Sequence, residues 1–262
     1  MKKLVIVGCG RLAAIVADAI VNGLLSEYDL IGVYSRTAAK ADCIVSKMQQ
    51  SGRSCKACTT LEDLLALKPD YLVESASPAA MKALALPALK NGTSIITLSI
   101  GALADESFYK EVTEAARVNG TRIYPVSGAT GGFDVLRTVF LMGNASASFF
   151  NEKGPDALKG TAIYDESLQA EQRVVFSGNA VDAIGLFPTK VNVAVAASLA
   201  SVGPEKMKVS VQSTPGFTGD TQRVEIKNDQ VRAVVDVYSK TSDIAGWSVV
   251  NTLINIVSPI VF

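Results

Sequence analysis

Leu4-Val5-Ile6-Val7-Gly8-Cys9-Gly10-Arg11-Leu12-Ala13 is a short apolar run that breaks at two glycines and then passes into a helical pattern. Leu4 to Val7 read as a strand. Beyond the glycines, Leu12, Ile15, Val16, Ala19, Ile20 and Leu24 recur at helical spacing and make one apolar stripe. The loop between them, Gly8 to Ala13, matches G-x-G-x-x-A. In that pattern the first glycine permits a tight turn and the second lets backbone approach a pyrophosphate. The small third residue lets helix and strand pack closely, with the helix N-terminus facing the anion. Two glycines alone mean little, because many turns contain them. Here strand, loop, helix and following strand stand in the required order, so we read a dinucleotide site with Gly8, Gly10, Arg11 and Leu12 as cofactor-binding residues.

Working outward, β-rich runs at Leu30 to Tyr34, Ser54 to Cys58, Tyr71 to Glu74, Ser94 to Leu98 and Arg122 to Tyr124 alternate with helical segments. Helices are signalled by Ile44, Val45 and Met48, and by Thr60 capping the turn that carries Asp63. Two more open at Pro78 and Asp105 and stop at Gly92 and Gly120. Six strands joined by crossover helices make an α/β Rossmann domain over residues 1–125, with a doubly wound parallel sheet. Its second strand runs into Ser35-Arg36-Thr37, where NAD-specific domains place an Asp or Glu for the ribose hydroxyls. A guanidinium flanked by hydroxyls suits a 2′-phosphate, so the expected cofactor is NADP in preference to NAD. Arg36 stacked on the adenine, or free in solvent, is the alternative.

After Tyr124 the texture changes. Ser127-Gly128-Ala129-Thr130-Gly131-Gly132 leads into a helix, and longer polar strands follow at Arg173 to Ser177, Lys206 to Thr214, Gln222 to Asn228 and Gln230 to Tyr238. Asn228-Asp229 predicts a hairpin turn between the last two. Residues 126–240 read as a second, α+β domain for substrate and dimerisation. Ile244, Trp247, Val250 and Ile254 predict a helix within 241–262 that packs back on the first domain.

Lys plus Arg number 25, as do Asp plus Glu, so no overall field draws the chain to nucleic acid or an anionic membrane. Apolar runs are cut by Asp18, Asn22, Lys90 and Asn192 before they reach the roughly 18 residues of a membrane span. The apolar stretch after Met1-Lys2-Lys3 is too short for a signal peptide. A cytoplasmic protein with a small-molecule partner is expected. Four cysteines and no histidine leave almost nothing for a metal site. Cys55-Lys56-Ala57-Cys58 has the CxxC spacing, but residues three apart on a strand point to opposite faces. We expect two half-buried strand thiols rather than a zinc or redox pair.

Several blocks, taken in order and spacing, resemble the L-aspartate dehydrogenase family: Glu74-Ser75-Ala76-Ser77-Pro78, Ser99-Ile100-Gly101-Ala102-Leu103-Ala104-Asp105 and Ser127 to Asp134, then Phe187-Pro188, Val191-Asn192-Val193-Ala194 and Lys240-Thr241-Ser242. The resemblance covers nearly the whole chain. It implies a homodimeric NAD(P)-dependent oxidoreductase of amino-acid metabolism and NAD biosynthesis, with a second domain of dihydrodipicolinate-reductase-like type. Its reaction would be at the CH–NH2 group of an amino acid, aspartate being interconverted with iminoaspartate or with oxaloacetate and ammonia. The resemblance adds Ala76, Ser77, Pro78 and Ser99 to the cofactor-binding residues and puts nicotinamide contacts on Ala129 and Asn192. The residues agree, since Gly128, Gly131 and Gly132 let backbone approach a flat ring and a buried Asn needs a partner. For Asn192 a structural hydrogen bond is an equal reading.

One segment departs from the family. Where the family carries Asp-His-Asn, its histidine being the proposed catalytic residue, this chain reads Thr218-Gly219-Asp220, and no histidine stands anywhere else. Passing between amino acid and keto acid needs proton transfers that a placed acid or base accelerates by about 100- to 10,000-fold. The nearest substitutes are Asp220 and Lys240, each with an equally ordinary structural role. The family's Lys-Pro-Pro element is likewise reduced to Lys153-Gly154-Pro155. Two readings follow. The favoured one is a dehydrogenase or reductase of amino-acid, keto-acid or imine substrates, because cofactor-facing segments are kept in several places. The other is a non-catalytic dinucleotide-binding sensor or assembly protein. On the first, restoring the family's triplet at 218–220 is expected to raise turnover on aspartate.

Overall fold

Leu4, Val5, Ile6 and Val7 are all buried in the computed structural model, which describes residues 1–187 and 192–262. A parallel strand covered on both faces needs such an uninterrupted apolar run. It forms β1 (Lys2–Val7), beside β2 (Tyr28–Tyr34) and β3 (Lys56–Cys58) on one side and β4 (Tyr71–Glu74), β5 (Ser94–Thr97) and β6 (Ile123–Pro125) on the other. The sheet order is β3-β2-β1-β4-β5-β6, with every pairing parallel. The order reverses between β1 and β4, and the loops that follow those strands meet at the sheet's C-terminal edge.

Helices α1 (Arg11–Val21), α2 (Ala38–Gln50), α3 (Leu61–Ala66), α4 (Pro78–Lys90) and α5 (Glu106–Val118) alternate with these strands. Side chains close three of their N-termini. Thr60 accepts from the Asp63 amide at 3.0 Å, Ser77 from Ala80 at 3.1 Å, and Asp105 from Phe108 at 3.1 Å. Two expectations need correction. Leu24 lies past the end of α1 and is 53% exposed, so the stripe stops at Ile20. Cys55 precedes β3 rather than lying in it, and Cys55 and Cys58 are both buried.

The remaining residues, Ser127–Ile244, form a second unit. After α6 (Phe133–Leu141) comes β7 (Ser146–Lys153), then β8 (Arg173–Asn179), α7 (Ala180–Leu186), α8 (Asn192–Leu199), β9 (Lys208–Ser213), β10 (Asp220–Lys227) and β11 (Arg232–Ser239). The sheet order is β11-β10-β7-β9-β8. β7, which the sequence pattern did not disclose, is the central strand, parallel to β9 and antiparallel to β10. Ala147, Phe149, Val209, Val211, Val224 and Ile226 share one core cluster with Leu136 and Val139 of α6, Ala183 of α7 and Ala194 of α8. The expected hairpin joins β10 and β11, and the Asn228 carboxamide oxygen accepts from the amides of Gln230 at 2.9 Å and Val231 at 2.8 Å.

The chain ends in α9 (Asp243–Val257), most of which belongs to the first unit with residues 1–126. Its buried face is Gly246, Val249, Val250 and Leu253; Val250 of the stripe read from the sequence lies on it, whereas Trp247 is 49% and Ile254 39% exposed, so the packed face is rotated from that stripe. The reason is a close crossing. A β-carbon on Gly246 would stand 2.7 Å from Cδ1 of Ile15, so the glycine side is the one that fits against α1. The buried Tyr28 hydroxyl donates to the Leu253 carbonyl at 2.7 Å. No helix among the described residues is long and apolar enough to cross a membrane.

Candidate active site

The turn after β1 is held from below. Gly8 has φ +92°, and a β-carbon there would lie 2.7 Å from the backbone of Ser75 and Ala76. The Ser75 hydroxyl donates to the Gly8 carbonyl at 2.7 Å, and the Gly8 amide donates to Tyr34 at 2.9 Å. Gly10 is different: a β-carbon there meets nothing within 4 Å among the described residues. Gly10 is also the N-cap of α1, with no side-chain cap and no acidic residue in the first turn. Gly10 thus leaves room at the positive dipole end of α1, and Ala13, fully buried, sits where the pattern requires a small residue. These residues fit a pyrophosphate. Arg11 is exposed and Leu12 half-buried at the same turn.

At the end of β2 a cavity of about 630 Å³ is lined by Tyr34, Ser35, Arg36, Ala38, Ala41, Asp42, Ala57, Cys58 and Thr59. Arg36 and Thr37 are exposed, and the Thr37 amide donates to the Ser35 hydroxyl at 3.3 Å. The Arg36 guanidinium has no ion pair among the described residues and is available to an anion, while the exposed Asp42 carboxylate limits the positive field there. Burial pushes the Cys58 thiol above its ordinary range.

Ala76, Ser77 and Ser99 lie in the loops that leave β4 and β5, and Pro78 is the first residue of α4. Ala76, Ser77 and Ser99 are tied together by a residue that sequence reasoning passed over, the buried Glu74. Its signal was present, an acidic residue closing the apolar strand Tyr71-Leu72-Val73. Among the described residues no group of three or more His, Cys, Asp or Glu could hold a metal ion.

In the second unit the glycine-rich stretch runs against the start of α8. A β-carbon on Gly128, at φ +65°, would be 3.2 Å from Cγ2 of Val193, the residue after Asn192. Ala129 is 9% exposed, and the Thr130 hydroxyl is buried without a hydrogen-bond partner among the described residues. The two residues given nicotinamide contacts by resemblance thus flank one packing contact. Pro188 and Val191 lie outside the described residues.

Asp220 opens β10 and is the centre of a polar cluster. Its carboxylate accepts from the Asn151 amide at 2.5 Å, the Lys153 ammonium at 2.9 Å and the Gln222 amide at 2.9 Å. Asn151, Lys153 and Gln222 are buried, as is Ser213, the register partner of Lys153. They continue the inward face of β7, β9 and β10, which turns from apolar to polar at this end. Asn151 Oδ1 and the Ser213 hydroxyl are buried with no partner among the described residues, so the cluster has hydrogen-bonding capacity unused there. In the sequence Lys153 stands out only as the remnant of the Lys-Pro-Pro element. Its neighbour Gly154 is needed because a β-carbon would fall 2.2 Å from the Phe217 carbonyl oxygen. Lys240 stands one residue past Ser239, the register partner of Asp220, and is exposed. Gly219 has φ +88°, and a β-carbon on it would meet the Ser239 carbonyl oxygen.

Comparison with known proteins follows the same two-part division. The family described as "Homoserine dehydrogenase, NAD binding domain" matches residues 8–125, and "Aspartate dehydrogenase, C-terminal" matches residues 134–256. The L-aspartate dehydrogenase of Methanosarcina acetivorans is 30% identical, with 99% of this chain and 98% of the relative covered. That of Methanococcus maripaludis is 28% identical over the same shares. Among solved structures, aspartate dehydrogenase from Thermotoga maritima has a TM-score of 0.75 at 24% identity, covering 100% of this chain and 99% of that one. With a dinucleotide fold in the first unit and full-length likeness in both, the chain is an NAD(P)-dependent oxidoreductase that belongs to the L-aspartate dehydrogenase family.

Proposed function

We propose that the protein is an NADP(H)-preferring amino-acid dehydrogenase or imine reductase in which the Lys153–Asp220 pair takes the place of the histidine this chain lacks. The observation that carries the reading is that pair, a lysine with a side chain 9% exposed against a carboxylate 28% exposed. Bound cofactor supplies or accepts the hydride. Reducing an imine then needs one proton on nitrogen, and the Lys153 ammonium is the donor, with Asp220 as counter-charge and Asn151 and Gln222 fixing the carboxylate. A preformed imine needs less proton shuttling than a carbonyl, so aspartate itself is a poor substrate and an imine a good one. Of the two acid/base candidates read from the sequence, Asp220 is favoured over the exposed Lys240.

Gly8, Gly10, Arg11 and Leu12 hold the pyrophosphate, Ser35, Arg36 and Thr37 the 2′-phosphate, and Ala76, Ser77, Pro78, Ser99, Ala129 and Asn192 the nicotinamide nucleotide. We place the protein in the cytoplasm as a homodimer, paired through the outward face of the second sheet, where Ser148, Arg223 and Asp236 are exposed. Light scattering at micromolar concentration tests the dimer, and a monomer mass refutes it.

The enzymatic reading is tested by screening amino acids, keto acids with ammonia, and preformed imines against NADPH absorbance, beside Lys153→Met and Asp220→Asn. Both variants should lose about 100- to 10,000-fold in turnover with cofactor affinity unchanged. Aspartate oxidation by the unmodified protein at roughly 1 to 1,000 per second overturns the substrate assignment, and full activity in both variants overturns the proton-transfer assignment.

A further inference from the structure

We propose that Glu74 is the positioning residue for the nicotinamide half of the cofactor site. Its side chain, 0% exposed, collects five donors. Oε1 accepts from the amides of Ala76 at 2.8 Å and Ser77 at 3.0 Å and from the Ser99 hydroxyl at 2.9 Å. Oε2 accepts from the Thr97 hydroxyl at 2.6 Å and the Ser99 amide at 3.2 Å. Burying a carboxylate is costly unless its oxygens are hydrogen-bonded, and here both are. Three of the donors are backbone amides of the two loops that leave β4 and β5, so one side chain fixes the path of both.

The consequence reaches the glycine turn. Ser75 and Ala76, the first residues of the loop that Glu74 holds, are the backbone that a β-carbon on Gly8 would meet at 2.7 Å, and the Ser75 hydroxyl bonds the Gly8 carbonyl. In a doubly wound sheet whose order reverses between β1 and β4, the adenosine half of a dinucleotide lies by the end of β2 and the nicotinamide half by the ends of β4 and β5. Glu74 therefore sets the nicotinamide side and leaves the adenosine side alone. It acts through Ala76, Ser77 and Ser99 and touches no reacting atom. The inference rests on the dinucleotide reading of this unit and is independent of the substrate and of the NADP preference.

The experiment compares whole cofactors with their adenosine halves. Glu74→Gln keeps the shape but turns one acceptor into an amide donor facing donors. NADPH and NADH are titrated against it by fluorescence, and 2′,5′-ADP and AMP, which carry no diphosphate for the glycine turn to hold, by calorimetry. For whichever cofactor the unmodified protein binds more tightly, Kd should rise about 10-fold or more, while its adenosine fragment stays within about twofold. Equal losses in cofactor and fragment would show that Glu74 only supports the fold, and unchanged cofactor affinity would show that it positions nothing; either overturns the proposal. Thr97→Val, which removes one donor and keeps the shape, gives the same test with a smaller shift if Glu74→Gln does not fold. Failure of the unmodified protein to bind either cofactor would overturn the dinucleotide reading and this inference together.

Discussion

A β-carbon placed on Gly219 would stand 2.5 Å from the carbonyl oxygen of Ser239, and at φ +88° the backbone itself disfavours any side chain. Ser239 is the register partner of Asp220 across the β10–β11 ladder, so neither strand yields without breaking pairing. Restoring the family's histidine at Gly219 is therefore not a simple gain of the missing group, because the backbone there has to be strained to take it. Gly219→His should cost about 1 to 3 kcal/mol in backbone strain alone, a fall of roughly 2 to 12 °C in Tm. Aspartate turnover should not rise. A variant with unchanged Tm and a clear gain on aspartate would count against this geometry.

The two glycines of the turn should separate cleanly. Gly10→Val places its side chain in open space, so calorimetric Tm should hold while titration shows cofactor binding lost. Gly8→Ala forces a β-carbon into the backbone of Ser75 and Ala76 and should instead lower Tm or yield no folded protein. Full cofactor affinity in Gly10→Val would mean that the loop is only a turn.

Arg36 lines the cavity at the end of β2 together with Ser35. If it holds a 2′-phosphate, Arg36→Ala removes a charge-assisted bond worth about 1.5 to 3 kcal/mol, which weakens NADPH by roughly 10- to 100-fold and leaves NADH nearly unchanged. Parallel titrations check this. Equal affinity for the two cofactors in the unmodified protein would refute the preference.

Burial pushes the Cys9 thiol up to about 11 and the Cys55 thiol up to about 12, while Cys43 is exposed. At pH 8 a thiol reagent should label Cys43 in the native protein and reach the other cysteines only on unfolding. Because folding raises both values above the ordinary value of 9.0, the neutral thiols stabilise the fold below that pH, and the contribution is lost as pH rises toward 11 and 12. Tm should fall across this window, and less steeply in Cys9→Ala. An identical alkaline slope in that variant would remove Cys9 as a cause.

The first unit was legible in sequence because its signals are local. Leu4 to Val7, the glycines at 8 and 10 and the caps at Thr60, Ser77 and Asp105 act within a few residues of themselves, where period and turn chemistry settle the outcome. β7 was not legible. Its inward positions run Ala147, Phe149, Asn151, Lys153, and two polar residues in that series erase the alternation that marks a half-buried strand. The polar cluster is likewise a tertiary product, since Lys153 and Asp220 stand 67 residues apart and meet only because β7 and β10 are neighbours in the sheet. Even the face that α9 buries was decided by contact rather than pattern, because only Gly246 allows so close an approach to Ile15. The sequence by itself determined the dinucleotide fold and the absence of a histidine. Which charged side chains are brought together, and that Gly219 has no room for a side chain, were decided by strand pairing, because hydrogen-bond register sets distances that no local pattern encodes.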